Sequence, residues 1–159
     1  MWRPDQHFTM APRIRDANFQ DLPRIMEIEQ LAFSTPWSAD SFKRELILPF
    51  SRILLATNGT PDSAPIGFLC RWLIADECHV LNVAVHPRER RHGVGEMLMC
   101  EAIGEAKAKR IRFVTLEVRR SNVAARSLYR KLSFSEQRLR RNYYGPGEDA
   151  IVMELDLKV

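Results

Sequence analysis

The run Arg90-Arg91-His92-Gly93-Val94-Gly95 stands between an apolar stretch that reads as a strand, Val80 to Val85, and an amphipathic stretch that reads as a helix. Strand, loop and helix in that order can hold an anion. A helix entered through glycines points unpaired amides, and the positive end of its dipole, at whatever precedes it. Gly93 and Gly95 lack a Cβ and let the loop lie close to a ligand such as a pyrophosphate, while Arg90 and Arg91 add charge. The run is neither G-x-x-x-x-G-K-[ST] nor the dinucleotide fingerprint. Glycines beside arginines also make ordinary solvated turns, so alone it leaves both readings open. Further along, Glu117 ends a strand-like segment and Tyr129 falls in a helical one. A carboxylate can take a proton from an amine, and a phenol can donate a hydrogen bond to a developing anion. On local pattern alone the plainer readings come first: Glu117 pairs with Arg119 or Arg120, and Tyr129 packs as a half-buried core residue.

The elements that must position these groups follow from periodicity. After the loop, Leu98, Met99, Ala102, Ile103 and Ala106 form one stripe, with Glu96, Glu101, Glu105, Lys107 and Lys109 outside it, so the helix packs by one face. Val114, Leu116 and Val118 alternate with Phe113, Thr115 and Glu117, the pattern of a strand. A strand, helix and strand of that length favour parallel pairing through a right-handed crossover. Upstream, Arg13 to Ala17 is a short strand. Asp21, Leu22 and Pro23 open a helix to about Phe33, with Asp21 as the cap. Ser34-Thr35-Pro36-Trp37 breaks it, and Ser38 caps a second helix that Pro49 ends. Ile53 to Thr57 and Ile66 to Ile74 flank a turn-rich connection, and Asp76-Glu77 turns the chain into the central strand, giving an antiparallel meander. Ser121 or Asn122 caps a last helix to about Lys131. Phe134 to Asn142 and Ala150 to Leu157 close the fold around Gly145-Pro146-Gly147. The class is therefore α/β with a mixed sheet, mostly antiparallel with one parallel pair and flanked by helices.

With 159 residues, 45% of them hydrophobic, the chain is the size of a single domain, expected over residues 13–159 behind a loose tail over 1–12. Met10 is a second candidate for the translational start. A net charge of +4 suits an anionic ligand or partner and does not choose between a nucleotide-bearing cofactor and RNA. The three cysteines, Cys70, Cys78 and Cys100, lack metal-type spacing and sit in apolar segments, so a reduced, cytoplasmic protein with no metal site is expected. No apolar run reaches the length of a membrane span, and the N-terminal residues lack the apolar core of a signal peptide.

Three strings, NVAVHPRERRHGVG, LEVRRSNVAARSLYRKLSF and RRNYYGPGEDAIVMEL, together resemble the acyl-CoA-binding core of the GNAT acetyltransferases. More narrowly they resemble the bacterial ribosomal-protein-alanine N-acetyltransferases of the RimI type, in matching order across about residues 13–156. The resemblance implies the GNAT fold, in which the parallel pair splays, and acetyl-CoA as cosubstrate. It also implies a protein N-terminus, that of a ribosomal protein, as acceptor. On the same ground Val83, Ala84 and Val85 offer backbone groups to the pantetheine arm, and Arg90, Arg91, His92, Gly93, Val94 and Gly95 hold the pyrophosphate. Asn122 contacts the cofactor through its side chain, Glu117 is the general base and Tyr129 the general acid. Pro36, Trp37, Tyr143 and Tyr144 shape the acceptor pocket. The chemistry is consistent: neutralising an α-amine at pH 7 costs about 1.4 kcal/mol and neutralising a lysine several times that, a task within reach of one carboxylate.

Two other functions compete. The same fold could acetylate a lysine or a small amine. A ribosome- or RNA-binding module could use Arg88, Arg90, Arg91, Arg119, Arg120, Arg138, Arg140 and Arg141, but the chain lacks aromatic-interleaved nucleic-acid motifs, and no direct nucleic-acid role is expected.

Overall fold

A computed structural model of the chain describes residues 11–60 and 62–158; the tail expected over residues 1–12 falls outside the described residues for its first ten positions. In chain order the elements are β1 (Arg13–Asp16), α1 (Leu22–Ala32), α2 (Ala39–Ile47), β2 (Ser51–Thr57), β3 (Pro65–Ile74), β4 (Glu77–Val85), α3 (Val94–Ala108), β5 (Phe113–Arg119), α4 (Val123–Lys131), β6 (Ser135–Gly145) and β7 (Glu148–Asp156). The strands follow the order β1-β2-β3-β4-β5-β7-β6, and β4 with β5 is a parallel pair, so the mixed sheet expected from the sequence is present. The residues group into two compact units, one holding 11–72 and 82–102, the other 73–81 and 103–158. Strands β3 and β4 and helix α3 each contribute residues to both.

In the first unit β1, β2 and β3 pair antiparallel, with Ile14 opposite Ala56 and Leu55 opposite Phe68. Ile53, Leu54, Leu55 and Ala56 are all buried, the continuous apolar run of a strand covered on both faces. Helix α1 buries Leu22, Ile25, Ile28 and also Glu29. Helix α2 begins as expected: the Ser38 hydroxyl accepts from the Ser41 N–H. Asp21 precedes α1 as expected but does not cap it. Its carboxylate is occupied by the Arg15 guanidinium, at 2.8 and 2.7 Å, and by the Asn18 N–H at 2.9 Å. The Arg15 hydrogen bonds hold that carboxyl below its ordinary range.

Gly67 on β3 marks a close approach that no side chain would permit. A Cβ there would lie 3.0 Å from the Ala84 carbonyl oxygen, 3.1 Å from Val94 Cγ1 and 3.4 Å from Leu98 Cδ1. Because the nearest atom is backbone, relief requires the strand itself to shift. Gly67→Val is therefore expected to destabilise the protein by about 1–3 kcal/mol in urea denaturation, with a larger penalty than Gly67→Ala. Equal stability of all three proteins would show that β3 has room to spare.

In the second unit Val114, Leu116 and Val118 are buried and the alternate residues of β5 are half-exposed. The parallel ladder runs from Glu77 opposite Phe113 to Val80 opposite Leu116, although the strands continue to Val85 and Arg119. β5 pairs antiparallel with β7, and β7 with β6. Asn122 caps α4, its Oδ1 accepting from the Ala125 N–H at 3.1 Å. The closing hairpin departs from expectation. Strand β6 does not stop at Asn142 but runs to Gly145, so Tyr143 and Tyr144 lie inside it. Asn142, at φ 55°, bulges the strand, its N–H donating to Asp149 and its Oδ1 accepting from the Gly147 N–H.

Candidate functional site

The loop after β4 is built from short-range bonds. The His86 N–H donates to the Ile66 carbonyl at 2.8 Å, and Pro87–Glu89 makes one 3-10 turn in which the His86 ring accepts from the Arg88 N–H. Arg90 Nε approaches the Val85 carbonyl at 3.4 Å, and Arg90 and Arg91 are exposed. The left-handed positions are Arg91 (φ 66°) and Gly93 (φ 80°). Gly95, expected in the loop, instead lies in the first turn of α3, which starts at Val94. The first intrahelical bond runs from the Met97 N–H to the Gly93 carbonyl, so the amides of Val94 and Gly95 stand ahead of the ladder. Val83 and Val85 occupy the half-exposed face of β4 and Ala84 the buried one. Within its unit this segment has the arrangement that lets backbone amides receive an anion.

In the same unit a buried carboxylate secures the loop bearing Pro36 and Trp37. Glu29, 1% exposed, accepts from the Trp37 N–H at 2.9 Å and from the Asn82 amide at 2.8 Å. Pro36 is exposed; the Trp37 ring is half-buried and packs 5.2 Å from Phe42, which meets Phe68 edge-on at 5.5 Å. Burial pushes the Glu29 carboxyl above its ordinary range, and its two donors only partly offset this. A raised folded-state pKa contributes stability that is full below the unfolded value, about 4.3, and is lost as pH rises through the folded value. Glu29→Gln removes that titration. The stability of the native protein relative to this variant should therefore decline from about pH 4 upward, read by urea denaturation at successive pH values. A pH-independent difference would mean that burial does not raise the Glu29 carboxyl.

The second unit holds the remaining candidates. Glu117 sits opposite Val152 of β7, and Val152 in turn sits opposite Arg138 of β6. Its Oε2 lies 2.8 Å from His79 Nε2 on β4, and Arg140 Nη2 is 3.9 Å from its Oε1. The His79 hydrogen bond, with Arg140 and Arg138 adding to it, holds the carboxyl below its ordinary range despite partial burial. Tyr129 is buried 5.9 Å from Phe134, and burial pushes its phenol up to about 12. Among the described residues none hydrogen-bonds its hydroxyl. Tyr144 is half-buried under the Arg119 guanidinium, 4.3 Å from the ring centroid, and burial takes its phenol to about 12. Tyr143 is 49% exposed and lies edge-on to Tyr144. Arg119 and Arg120, offered as nucleic-acid contacts, pair here with Glu148 and Asp149, and Arg140 lies over Tyr143.

Three residues at these places were not singled out from the sequence. Glu29 shares helical spacing with Leu22, Ile25 and Ile28, and a carboxylate in such an apolar stripe is itself a signal of a buried, partnered group. His79 and Asn82 belong to the alternation of β4, whose buried face carries Cys78, Val80, Asn82 and Ala84. Because the strand was expected to start at Val80, His79 lay outside it.

The described residues thus include a loop whose amides stand ahead of a helix, a carboxylate held below its ordinary range near a strand end, and a parallel strand pair, and comparison with known proteins gives them a family. Residues 22–134 match the acetyltransferase (GNAT) family. The [ribosomal protein bS18]-alanine N-acetyltransferase of Salmonella typhimurium is 37% identical over 142 residues, 87% of this chain and 93% of that protein. The Escherichia coli K12 protein of the same name is 36% identical over the same span, with the same coverage. The crystal structure of the ribosomal-protein-S18-alanine N-acetyltransferase from Escherichia coli superposes with a TM-score of 0.84 at 33% identity, covering 94% of this chain and 96% of that one. Ard1 from Thermoplasma volcanium gives a TM-score of 0.82 at 25% identity, covering 94% and 100%. The chain belongs to the acetyltransferase (GNAT) family.

Proposed function

We propose that the protein moves the acetyl group of acetyl-CoA to the free α-amine of a protein whose first residue is alanine, a ribosomal protein of the bS18 kind. The observation that carries this reading is the 37% and 36% identity, along 142 residues, to proteins named for that activity. The residues present fit the donor. Arg90 to Gly95 would hold the pyrophosphate, with Arg91 and Gly93 supplying the left-handed turns that aim the amides ahead of α3. The backbone of Val83, Ala84 and Val85 would meet the pantetheine arm. Asn122 has committed its Oδ1 to the α4 cap, so the NH2 of its amide is the group that would reach the cofactor. Acetyl-CoA supplies an acyl group activated as a thioester.

Glu117 would receive the amine proton as the N–C bond forms and the C–S bond breaks. Held ionised by His79 and the arginines, it is ready to accept at neutral pH. Tyr129 would donate a hydrogen bond to the departing sulfur. With its phenol at about 12, complete transfer to a thiolate of ordinary basicity would be uphill by roughly 5 kcal/mol, so the phenol stabilises the charge and solvent supplies the proton. Attack is direct. Cys70, buried and with its thiol pushed up to about 12, is no nucleophile. Pro36, Trp37, Tyr143 and Tyr144 would contact the first residues of the acceptor. Free cysteines at positions 70, 78 and 100 accord with a reducing cytoplasm.

The test is incubation with acetyl-CoA and paired peptides beginning with alanine, serine, methionine or glycine, each with its N-terminus free or blocked, followed by mass measurement. Acetylation of free alanine peptides alone is expected. Modification of blocked, lysine-containing peptides would replace this reading with lysine acetylation.

A further inference from the structure

His79 is the one imidazole in hydrogen-bond contact with the Glu117 carboxylate among the described residues, at 2.8 Å from Nε2 to Oε2. Its side chain is 31% exposed against 14% for Glu117, so the ring can exchange protons with solvent while the carboxylate is largely covered. We propose that His79 is a positioning residue for the acetyl transfer, fixing Glu117 through its Nε2–H and setting the pH below which that carboxylate stops accepting a proton. This rests on the acetyltransferase reading given above.

The argument is one of charge and geometry. A neutral imidazole that donates Nε2–H to Oε2 leaves the pair with one negative charge and leaves Oε1 to collect the amine proton. An imidazolium makes the same hydrogen bond but leaves the pair with no net charge, and a carboxylate beside a full positive charge holds an incoming proton less well. Histidine changes charge between about pH 5 and 8, so the base would fail on the acid side of neutrality. The proton itself passes from the amine to Glu117 and on to solvent; His79 is not consumed. The titratable and charged groups that act on Glu117 besides His79 are Arg138, Arg140 and the Tyr144 phenol, all on β6, and along β4 Glu77 stands two residues before His79. On β7, Glu154 lies opposite Thr115, which lies opposite His79. The arginines carry their charge at either state of the ring, so among these neighbours the imidazole is the one whose charge can change near neutrality.

Glutamine separates the two roles, because its amide N–H can replace Nε2–H as a donor but cannot titrate. With saturating acetyl-CoA and an alanine-first peptide, His79→Gln should keep kcat within about twofold of the native enzyme at pH 8, with both KM values unchanged. The ratio of the variant's kcat to the native kcat should then rise about tenfold on going down to pH 5.5, a comparison in which the titration of the acceptor amine cancels. His79→Ala, which loses the donor as well, should lower kcat at every pH while leaving KM alone. A flat ratio across that range, in a folded His79→Gln protein, overturns the inference. If glutamine does not fold, the same ratio is read with His79→Asn. Acetylation of free-amine peptides with a flat ratio removes only the role of His79, whereas absence of any such acetylation by the native enzyme removes the functional reading and this inference together.

Discussion

Replacing Glu117 with glutamine should cut kcat by about 10²- to 10⁴-fold while the dissociation constant for coenzyme A stays within about twofold. The amide has nearly the shape of the carboxylate and can still meet His79, which lies 2.8 Å away, so the surroundings of β5 need not move. What it lacks is a proton-accepting oxygen of useful basicity at the moment the amine nitrogen becomes acidic. Steady-state rates with an alanine-first peptide, and calorimetric titration with coenzyme A, read the two quantities separately. Stability should respond with a definite sign. Glu117 has a depressed folded-state pKa, so its contribution is present above the unfolded value and is lost as pH falls through the folded one. Glu117→Gln should therefore be less stable than the native protein at neutral pH, and the difference should close in acid. Unchanged turnover would take the base role away from Glu117. A lost affinity for coenzyme A would mean that the residue holds up the fold and does not handle protons.

Much of this arrangement could be read from residue order, and the exceptions have local causes. The stripe Leu98, Met99, Ala102, Ile103 and Ala106 is buried along α3, and the alternation of Val114, Leu116 and Val118 is the buried face of β5, because burial imposes its period on sequence. The start of β4 was not legible. The turn before it was expected at Asp76-Glu77 and stands one residue earlier, at Ala75-Asp76, with Ala75 at φ 54°, a conformation usually betrayed by glycine or asparagine and here carried by a residue that signals neither. That displaced His79 from the strand and hid its partnership with Glu117. The end of β6 was hidden in the opposite way. Asn142 looks like a stop, but its side chain and its left-handed backbone make a bulge that lets the strand continue through both tyrosines. Glu29 shows a third limit: spacing places a residue on a buried face, yet only coordinates reveal that its two oxygens are met by Trp37 and Asn82.

Gly93→Val is the substitution expected to have the largest effect on cofactor binding, at least about tenfold in the dissociation constant of coenzyme A. Gly93 sits at φ 80° immediately before α3, where a β-branched residue is strained by roughly 1–3 kcal/mol. The chain can relieve that strain only by rotating the peptide that precedes the helix, and this rotation turns away the amides that would meet a pyrophosphate. Arg91, also left-handed at φ 66°, supplies the control. Arg91→Gly eases the backbone and removes one positive charge, so it should stabilise the fold slightly while weakening coenzyme A binding in a manner that added salt suppresses. The loss in Gly93→Val, being geometric, should persist at high salt. Calorimetric titrations of both variants at low and high ionic strength separate these contributions. Native-like affinity in Gly93→Val would mean that coenzyme A does not dock on the backbone of this loop.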